Sequence, residues 1–471
     1  MKPDQLQACP GSFRDSAGRV LDGGDSVYRT IDASFSSVWD AVLSSGFFES
    51  EAAKRLLVPF REVSPFPGTW KTLQSPRLPF ISYPYEWCFG QLKVAALHTL
   101  DVLDEALAHG LILRDATAYN VQFSGWKPVF IDLLSFESRN TERPWQAYGQ
   151  FCRFFLGPLA LMAHRSPLCG RFLRDWIEGL PLDLVAALLP LSTRLSPSLA
   201  IHLHYHARLQ ERYEDPRKAA KKLKAIKLSE RAHTDLSQAL RMAVEGQSLP
   251  PHTSSEWGEY YDDTNYTPRA AESKKNQVME IVGSLAGARA LAVDIGANTA
   301  RYSSFLAELF SYVIAADIDY LAVEKLWDHV RQSRTDNLLP LVLDLCNPSP
   351  AIGWDNTERQ SFRQRCKADY LSALAVIHHL VFTGGIPLPT LAEGFAHLVR
   401  PDATLVVEWV PLEDSQVQRL LSARGAISQP YSYDVFLQAF SRCFSVLDVR
   451  PIEESLRKLV ILRKKEDCNE G

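Results

Sequence analysis

The chain has 471 residues, of which 46% are hydrophobic and 23% are charged, and its formal net charge is −4. This length exceeds what a single hydrophobic core organises, so we expect two or three domains. The slightly negative charge excludes a general electrostatic attraction to nucleic acid or to an anionic membrane surface.

The cysteine pattern and the absence of long apolar runs indicate in which cellular compartment the protein is expected. The 8 cysteines are scattered and include no C-x-x-C pair, which is typical of reduced thiols and argues against a zinc ribbon or a disulfide scaffold. No stretch of about 18 uncharged apolar residues occurs, so we expect no membrane span. The N-terminus has no apolar signal region, and we therefore expect a cytoplasmic protein.

The N-terminal part begins with a mixed pattern of short strands and helices. Two strands are predicted around the turn 22–25, and helical segments are predicted near 36–45 and 49–57. Residues 91–109 form a clear amphipathic pattern that ends at Gly110, which predicts a long helix with a glycine stop.

The segment after this helix contains a spaced set of polar residues. Asp115 and Asn120 have the spacing D-x-x-x-x-N, and Asp132 ends an apolar strand twelve residues after Asn120. This arrangement resembles the catalytic and metal loops of protein kinases and aminoglycoside-type kinases. The resemblance implies that Asp115 orients an acceptor hydroxyl, while Asn120 and Asp132 hold magnesium.

Several features of the kinase pattern are absent. Leu113 stands where histidine is usual, and residues 133–134 are leucines in place of Phe-Gly. A glycine-rich nucleotide loop and a strand lysine are also missing, and Arg29 is the only weak stand-in for the lysine. We therefore predict a kinase-like domain over 1–245 that is degenerate as a kinase.

The stretch 246–256 is rich in Gly, Ser and Pro, which predicts a linker between the two domains. His202, His204 and His206 alternate before it, but no further ligand is evident. We therefore assign no metal site. The second domain is expected to span 257–471.

In the second domain, a helix predicted at about 268–285 precedes a strand that begins at Leu291, a glycine-containing turn, a helix at about 299–310 and a second strand at 312–317. Asp294 and Gly296 end the first strand, Asn298 lies in the turn, and Asp317 ends the second strand. A dinucleotide site requires G-x-G-x-x-G, but here the third glycine is missing and the second is replaced by Asn298. Asp294 would repel a pyrophosphate but suits a cationic sulfonium. The pattern therefore predicts binding of S-adenosyl-L-methionine, with Asp317 accepting hydrogen bonds from the ribose diol.

Helices and strands continue to alternate after Asp317, which predicts an α/β fold with a seven-stranded, Rossmann-like methyltransferase sheet preceded by the mostly helical α+β region. Further strands are predicted at 338–343, 370–376, 404–408, 443–449 and 457–463. Asp344 follows the third of the seven strands and is placed to meet the adenine amine.

Methyl transfer to a hydroxyl requires an acceptor close to the methyl carbon and removal of a proton. Polar residues expected at the carboxyl ends of the fourth and fifth strands are Asp369, His378, His379 and Glu408. Histidine titrates near neutral pH, so His378 or His379 is the first choice of general base, and Glu408 is the competing assignment.

Five unusual segments carry a more specific resemblance. They are residues 80–87, 114–123, 130–137, 347–354 and 374–380. They resemble a bacterial family of S-adenosylmethionine-dependent methyltransferases that includes a nodulation host-specificity protein. The resemblance implies a methyltransferase that modifies a glycan or another polar small molecule. It departs from the usual motif at Ala300, where glycine is common.

Two alternatives to this function remain open. The chain is either a methyltransferase with a kinase-like accessory domain, or a binding or scaffold protein whose two folds have lost their activities. A bifunctional kinase-methyltransferase is a variant of the first reading. The sequence does not identify the acceptor or the oligomeric state.

Overall fold

The computed structural model describes residues 6–208, 231–250, 266–424 and 430–466. The chain divides into two compact units, one made of residues 1–253 with 352–359 and the other of 254–351 with 360–471. The predicted linker 246–256 lies partly outside the described residues.

An antiparallel sheet opens the first unit. Its five strands have the order β1-β2-β3-β5-β4. The strands are β1 (Gln7–Ala8), β2 (Val20–Asp22), β3 (Ser26–Ile31), β4 (Arg61–Val63) and β5 (Lys71–Pro76). The predicted turn at 22–25 connects β2 to β3, which pair antiparallel. Helices Ser36–Ser44 and Glu51–Leu56 follow β3, as the sequence predicted.

Two small antiparallel ladders follow the long helix Phe89–Ala108. Strand β6 (Leu111–Leu113) pairs with β9 (Phe136–Ser138), and β7 (Val121–Ser124) pairs with β8 (Lys127–Phe130). Gly110, whose φ is +72°, ends the helix in the left-handed conformation that glycine adopts without strain. The ladders hold the loop between β6 and β7 close to the residues that follow β8.

Helical segments make up the rest of the first unit. They are Tyr148–Phe151, the π-helical turn Cys152–Leu156, Gly157–His164, Leu182–Leu188, Pro197–Leu199, the π-helical turn Ala200–Tyr205 and Ala232–Glu245, with shorter 3₁₀ turns between them. Buried aromatic and aliphatic side chains from these segments form the core of this unit. A sheet followed by helices agrees with the predicted α+β character, while kinase likeness stays a prediction.

The second unit is built around a seven-stranded sheet, which confirms the predicted mixed α/β fold. Its strands are β10 (Leu291–Ile295), β11 (Tyr312–Asp317), β12 (Leu338–Val342), β13 (Ala368–Ala373), β14 (Val399–Trp409), β15 (Phe444–Pro451) and β16 (Lys458–Lys464). Their order is β12-β11-β10-β13-β14-β16-β15, and β16 runs antiparallel to both of its neighbours. The remaining neighbours are parallel.

Helices connect these strands. They are Pro268–Gly283, Ser303–Leu309, Tyr320–Ser333, Phe362–Arg365, Ile377–Phe382, Leu388–Leu398, Ser415–Arg424 and Tyr433–Phe440. The last of these was not predicted from the sequence. Cys443 is disulfide-bonded, which corrects the expectation that the thiols are all reduced. In the described part of the chain, no helix is long and apolar enough to cross a membrane.

Candidate functional site

The strand order reverses beside β10, which lies between β11 and β13. In an open parallel sheet, connections on the two sides of such a point leave in opposite directions and open a crevice at the carboxyl ends of the strands. Here the crevice is bordered by the turn 296–302 after β10 and by residues 374–376 after β13. The predicted polar residues are distributed around this point.

The turn 296–302 passes close to the segment that follows β13. Gly296 has a φ of +71°, and a Cβ atom added there would lie 2.5 Å from Cγ2 of Val376. Only glycine therefore fits at this position without movement of its neighbour. The backbone N–H groups of Gly296 and Ala297 both donate to the carbonyl oxygen of Ala316, at 2.8 and 3.2 Å, and so fix the turn to β11.

Two alanines in the segments bordering the crevice have left-handed backbone conformations. Ala300 has a φ of +76° and Ala375 a φ of +57°. Such a conformation costs about 1–2 kcal/mol for a residue with a Cβ atom, and it is retained where the surrounding structure holds it. Strain on both borders of the crevice marks it as a candidate functional site.

Asp317 is the last residue of β11 and lies beside the turn. Its two carboxylate oxygens accept backbone N–H groups from Asn298 at 2.8 Å and from Asp319 at 2.8 Å. Burial raises the pKa of Asp317 to about 6, although these hydrogen bonds oppose the shift. Within the described residues, Asp317 forms no ion pair, so neutral donors are its partners.

Asp294 lies beneath the turn and is 2% exposed. Its carboxylate oxygens accept hydroxyl hydrogen bonds from Ser303 at 2.6 Å and from Ser372 at 2.8 Å. Burial raises the pKa of this carboxyl. Asp294 thereby joins β10 to the start of helix Ser303–Leu309 and to β13. The sequence had placed it next to a cationic ligand, whereas its observed contacts are with these two serines.

Asp344 follows β12 at the same edge of the sheet and is half-buried. One of its carboxylate oxygens accepts the backbone N–H of Cys346 at 2.9 Å. Asn298, the second predicted turn residue, has a φ of +49°. The structure therefore places Asp294, Gly296, Asn298, Asp317 and Asp344 along one edge of the sheet.

The two histidines do not end a strand, which corrects the predicted strand 370–376. Strand β13 stops at Ala373, because Ala375 turns the backbone, and His378 and His379 lie in helix Ile377–Phe382. Burial, with neighbouring positive charge, lowers the pKa of His378 well below its ordinary value and that of His379 to about 4. Both rings are therefore neutral at neutral pH.

The two acidic candidates, Glu408 and Asp369, have different surroundings. Glu408 is fully buried near the end of β14, with Lys274 Nζ at 2.6 Å and an Arg457 guanidinium nitrogen at 3.2 Å. Asp369 lies at the amino-terminal end of β13, where it accepts the backbone N–H groups of Ala290 and Leu291. This position corrects the expectation that Asp369 is at the carboxyl end of the sheet.

Sequence reasoning missed Lys274, Arg457 and Ser303. Lys274 carried a usable signal, because it falls on the buried stripe of its helix with Ala270 and Val278. A charged residue on an apolar stripe indicates a buried partner. Ser303 carried no signal of this kind, since its bond to Asp294 depends on how the turn folds.

In the first unit, the predicted loop residues form a separate cluster. One carboxylate oxygen of Asp132 lies 2.9 Å from a guanidinium nitrogen of Arg29, and the other accepts the hydroxyl of Ser135. Arg29 also pairs with Asp15 at 2.9 Å. The carboxylate of Asp132 is thus engaged on both oxygens by protein groups.

Asp115 and Asn120 complete this cluster. The Nδ2 atom of Asn120 donates to the backbone oxygen of Asp115 at 3.5 Å and to the hydroxyl of Ser135 at 3.4 Å. Burial and the nearby charge of Asp132 raise the pKa of Asp115. The structure therefore brings together Asp115, Asn120 and Asp132, as the sequence predicted, with Arg29 as an internal cation.

Solved methyltransferase structures show limited similarity to this chain. N-methyltransferase NodS from Bradyrhizobium japonicum WM9 in complex with S-adenosyl-L-homocysteine is 14% identical, covers 45% of this chain and 94% of its own, and has a TM-score of 0.34. The bifunctional kinase-methyltransferase WbdD is 13% identical, covers 45% of this chain and 43% of its own, and has a TM-score of 0.31. At these TM-scores the two structures do not establish the fold or the function of this chain.

A scan against models of protein families gives no match. A curated relative, nodulation protein NoeA from Rhizobium meliloti (strain 1021), is 33% identical over 473 aligned residues, which cover 97% of this chain and 96% of the relative. Identity at this level over nearly the whole of both chains is shared ancestry rather than a shared motif. The chain therefore belongs to the same family as nodulation protein NoeA.

Proposed function

We propose that the second unit is a methyltransferase that uses S-adenosylmethionine as methyl donor. The observation that carries the proposal is Asp317, which ends β11 beside the turn 296–302 at the crevice and whose partners among the described residues are two backbone N–H groups. A carboxylate in this position retains lone pairs that can accept hydrogen bonds from the two hydroxyls of a ribose. S-adenosylmethionine would supply an electrophilic methyl carbon.

The charge around the turn supports this donor over a dinucleotide. Within the described residues neither Asp294 nor Asp317 forms an ion pair, although the positive charge of Lys274 acts on the buried Asp294. A pyrophosphate would meet this negative charge, whereas a sulfonium amino acid carries a positive centre. Asp344, at the end of the neighbouring strand, is assigned to the adenine amine.

A thermal-shift comparison of the intact chain with S-adenosylmethionine, NAD and Mg-ATP tests the assignment. A ligand that binds only the folded state raises the melting temperature, and the rise increases with the ratio of ligand concentration to Kd. We expect a rise with S-adenosylmethionine and none with NAD. A rise with NAD alone would overturn the proposal in favour of a dinucleotide site.

We further propose that the acceptor is a hydroxyl of a glycan or another polar small molecule, and that His378 or His379 takes its proton. Both imidazoles are neutral at neutral pH, and each has a lone pair on one ring nitrogen. Their lowered pKa values make them weaker proton acceptors than an ordinary histidine, so the assignment depends on their position after β13. Within the described residues, Nδ1 of the buried His378 has no hydrogen-bond partner. His379 is the less buried of the two.

Turnover of His378→Ala and His379→Ala at saturating donor tests the base assignment. General-base help contributes about 10²–10⁴-fold, so loss of the base should lower kcat by a factor in this range with donor affinity unchanged. If both variants keep the turnover of the unmodified protein, neither histidine is the base. Glu408 is a weaker candidate, because Lys274 and Arg457 already occupy its carboxylate.

For the first unit, we propose a kinase-like domain without phosphoryl transfer. Its support is the Arg29–Asp132 ion pair, because a carboxylate engaged by a guanidinium and by Ser135 is poorly placed to hold a magnesium ion. Radiolabelled ATP incubated with the protein and candidate acceptors should give no transfer. Transfer that disappears in Asp132→Ala would instead establish an active kinase.

A further inference from the structure

A buried cluster of charged side chains lies near the carboxyl end of β14. Glu408 is 0% exposed, and its carboxylate contacts Lys274 Nζ at 2.6 Å and Arg457 at 3.2 Å. It also accepts the hydroxyl of Tyr266. Arg457, itself 1% exposed, donates to both carboxylate oxygens of Asp414 at 2.7 and 3.0 Å.

Burial and ion pairing act in opposite directions on Lys274 and Glu408: burial lowers the pKa of Lys274, and the neighbouring Glu408 opposes this shift. Burial alone would raise the pKa of Glu408, but the positive charges of Lys274 and Arg457 outweigh burial and lower it. Glu408 thus pairs with both Lys274 and Arg457, and Arg457 also pairs with Asp414. A buried ion pair is often no more stable than apolar side chains of the same volume, so stability alone does not explain Lys274 on the buried stripe of its helix.

Lys274 also reaches the turn that we assign to the methyl donor. Its ammonium lies 5.3 Å from the ring centroid of Tyr302 and 5.1 Å from that of Tyr266, within the range of a cation–π contact. Tyr302 is the last residue of the turn 296–302 and directly precedes Ser303, whose hydroxyl donates to Asp294. A continuous series of contacts thus runs from Glu408 through Lys274 to the turn.

We propose that Lys274 is a positioning residue, which holds Tyr302 and thereby fixes the backbone of the turn 296–302 against the end of β14. Glu408 and Arg457 fix Lys274 in turn, so that Glu408 acts through Lys274 and not as a base. This role rests on the proposed donor site. It adds a structural link between the end of β14 and the turn that is proposed to bind the donor.

Calorimetric titration of the intact chain with S-adenosylmethionine tests the proposal. Coupling between two sites of a protein typically changes affinity about 5–150-fold, and we take the lower end as the effect expected of Lys274→Met, which should weaken binding at least about fivefold. Tyr302→Leu removes the ring but leaves the Lys274–Glu408 pair intact, and it should weaken binding in the same direction. Tyr302→Phe keeps the ring and should restore the affinity. If Lys274→Met does not fold, the comparison of Tyr302→Leu with Tyr302→Phe tests the proposal instead.

Arg400→Met is the matched control. Arg400 pairs with Asp369 at the opposite end of the same sheet, so its loss should lower the melting temperature and leave the affinity for S-adenosylmethionine unchanged. If the unmodified protein binds S-adenosylmethionine and both Lys274→Met and Tyr302→Leu bind it equally well, the positioning role is wrong while the donor site stands. If the unmodified protein does not bind S-adenosylmethionine, the donor site and this role fall together.

Discussion

Asp132 in the first unit and Asp317 in the second are both carboxylates at the end of a strand, yet their partners differ. Asp132 has an arginine 2.9 Å away and a serine hydroxyl on its other oxygen. In the described part of the chain, Asp317 has two backbone N–H groups as partners, each at 2.8 Å. Among these residues the first carboxylate is paired with a cation, and the second is not.

This difference separates a structural acid from a binding one. A carboxylate paired with a guanidinium must lose that pair before it can hold a metal or a substrate, and breaking a partly buried pair is unfavourable. A carboxylate held by neutral backbone donors keeps its orientation and retains its charge for a ligand. Similar sequence patterns can therefore have different roles, and the groups that contact each carboxylate distinguish them.

The largest effect is expected when Asp317 is removed. Loss of a charge-assisted hydrogen-bonding partner costs about 1.5–3 kcal/mol, so Asp317→Ala should weaken binding of S-adenosylmethionine at least about tenfold by calorimetry. Asp132→Ala, in the first unit, is the control and should leave this affinity unchanged. Equal affinities in Asp317→Ala and the unmodified protein would remove the distinction between the two acids.

Because burial raises the pKa of Asp317, the affinity for the donor should depend on pH. Because that pKa is raised to about 6, the carboxyl is ionised near pH 7.5 and protonated near pH 5. Donor affinity should therefore fall as the pH decreases through 6, by up to about tenfold per pH unit below it. The measurement is calorimetric titration over this range, with Asp317→Asn, which does not titrate, as the control.

The stability contributed by Asp317 should change with pH in the opposite direction to the donor affinity. A pKa that is higher in the folded than in the unfolded chain contributes stability at low pH, and this contribution is lost as the pH rises through about 6. The stability of the unmodified protein relative to Asp317→Asn should thus decrease from about pH 4 to pH 6 without ligand. A pH-independent difference would show that burial does not raise this pKa.

Arg29→Met tests the ion pair of the first unit. Removing the guanidinium leaves Asp132 and Asp15 without their cation, and we expect a loss of about 1–2 kcal/mol in the free energy of unfolding. A double-mutant cycle with Asp132→Asn should give a coupling energy of about 0.5–3 kcal/mol. Arg77→Met, which breaks the exposed Arg77–Asp22 pair, is the control and should have a smaller effect.

The smallest effect is expected from Ala300→Gly in the turn. Since Ala300 has a φ of +76°, glycine relieves the backbone strain, and the gain exceeds its entropic disadvantage by about 0.5–1 kcal/mol. Urea denaturation measures the change. Ala297→Gly, at a position without a positive φ, should destabilise the protein by about 0.5–1 kcal/mol. A loss of stability in Ala300→Gly would show that the alanine methyl group packs favourably.

Much of the second unit was predictable because its strands are short, apolar and bounded by turn residues. The predicted strand 312–317 coincides with β11, and the alternation after it predicted the seven-stranded sheet. The predicted helix at about 299–310 begins later, at Ser303, because Asn298 and Ala300 adopt left-handed conformations that periodicity does not reveal.

Contacts between distant segments were not predictable. Lys274 and Glu408 are far apart in the chain, and only the packing of helix Pro268–Gly283 brings them within 2.6 Å. The Arg29–Asp132 pair has the same origin, since it joins β3 to the residues after β8. The sequence therefore named Glu408 and Asp132 as candidate acids, but it could not assign their partners.

A competition titration of the unmodified, intact chain with S-adenosylmethionine and NAD at about pH 7.5, where Asp317 is ionised, tests whether the crevice binds a methyl donor. We expect that S-adenosylmethionine binds and that NAD neither binds detectably nor displaces it. Tighter binding of NAD, or no binding of S-adenosylmethionine, would contradict the assignment of the crevice beside Asp317 to a methyl donor.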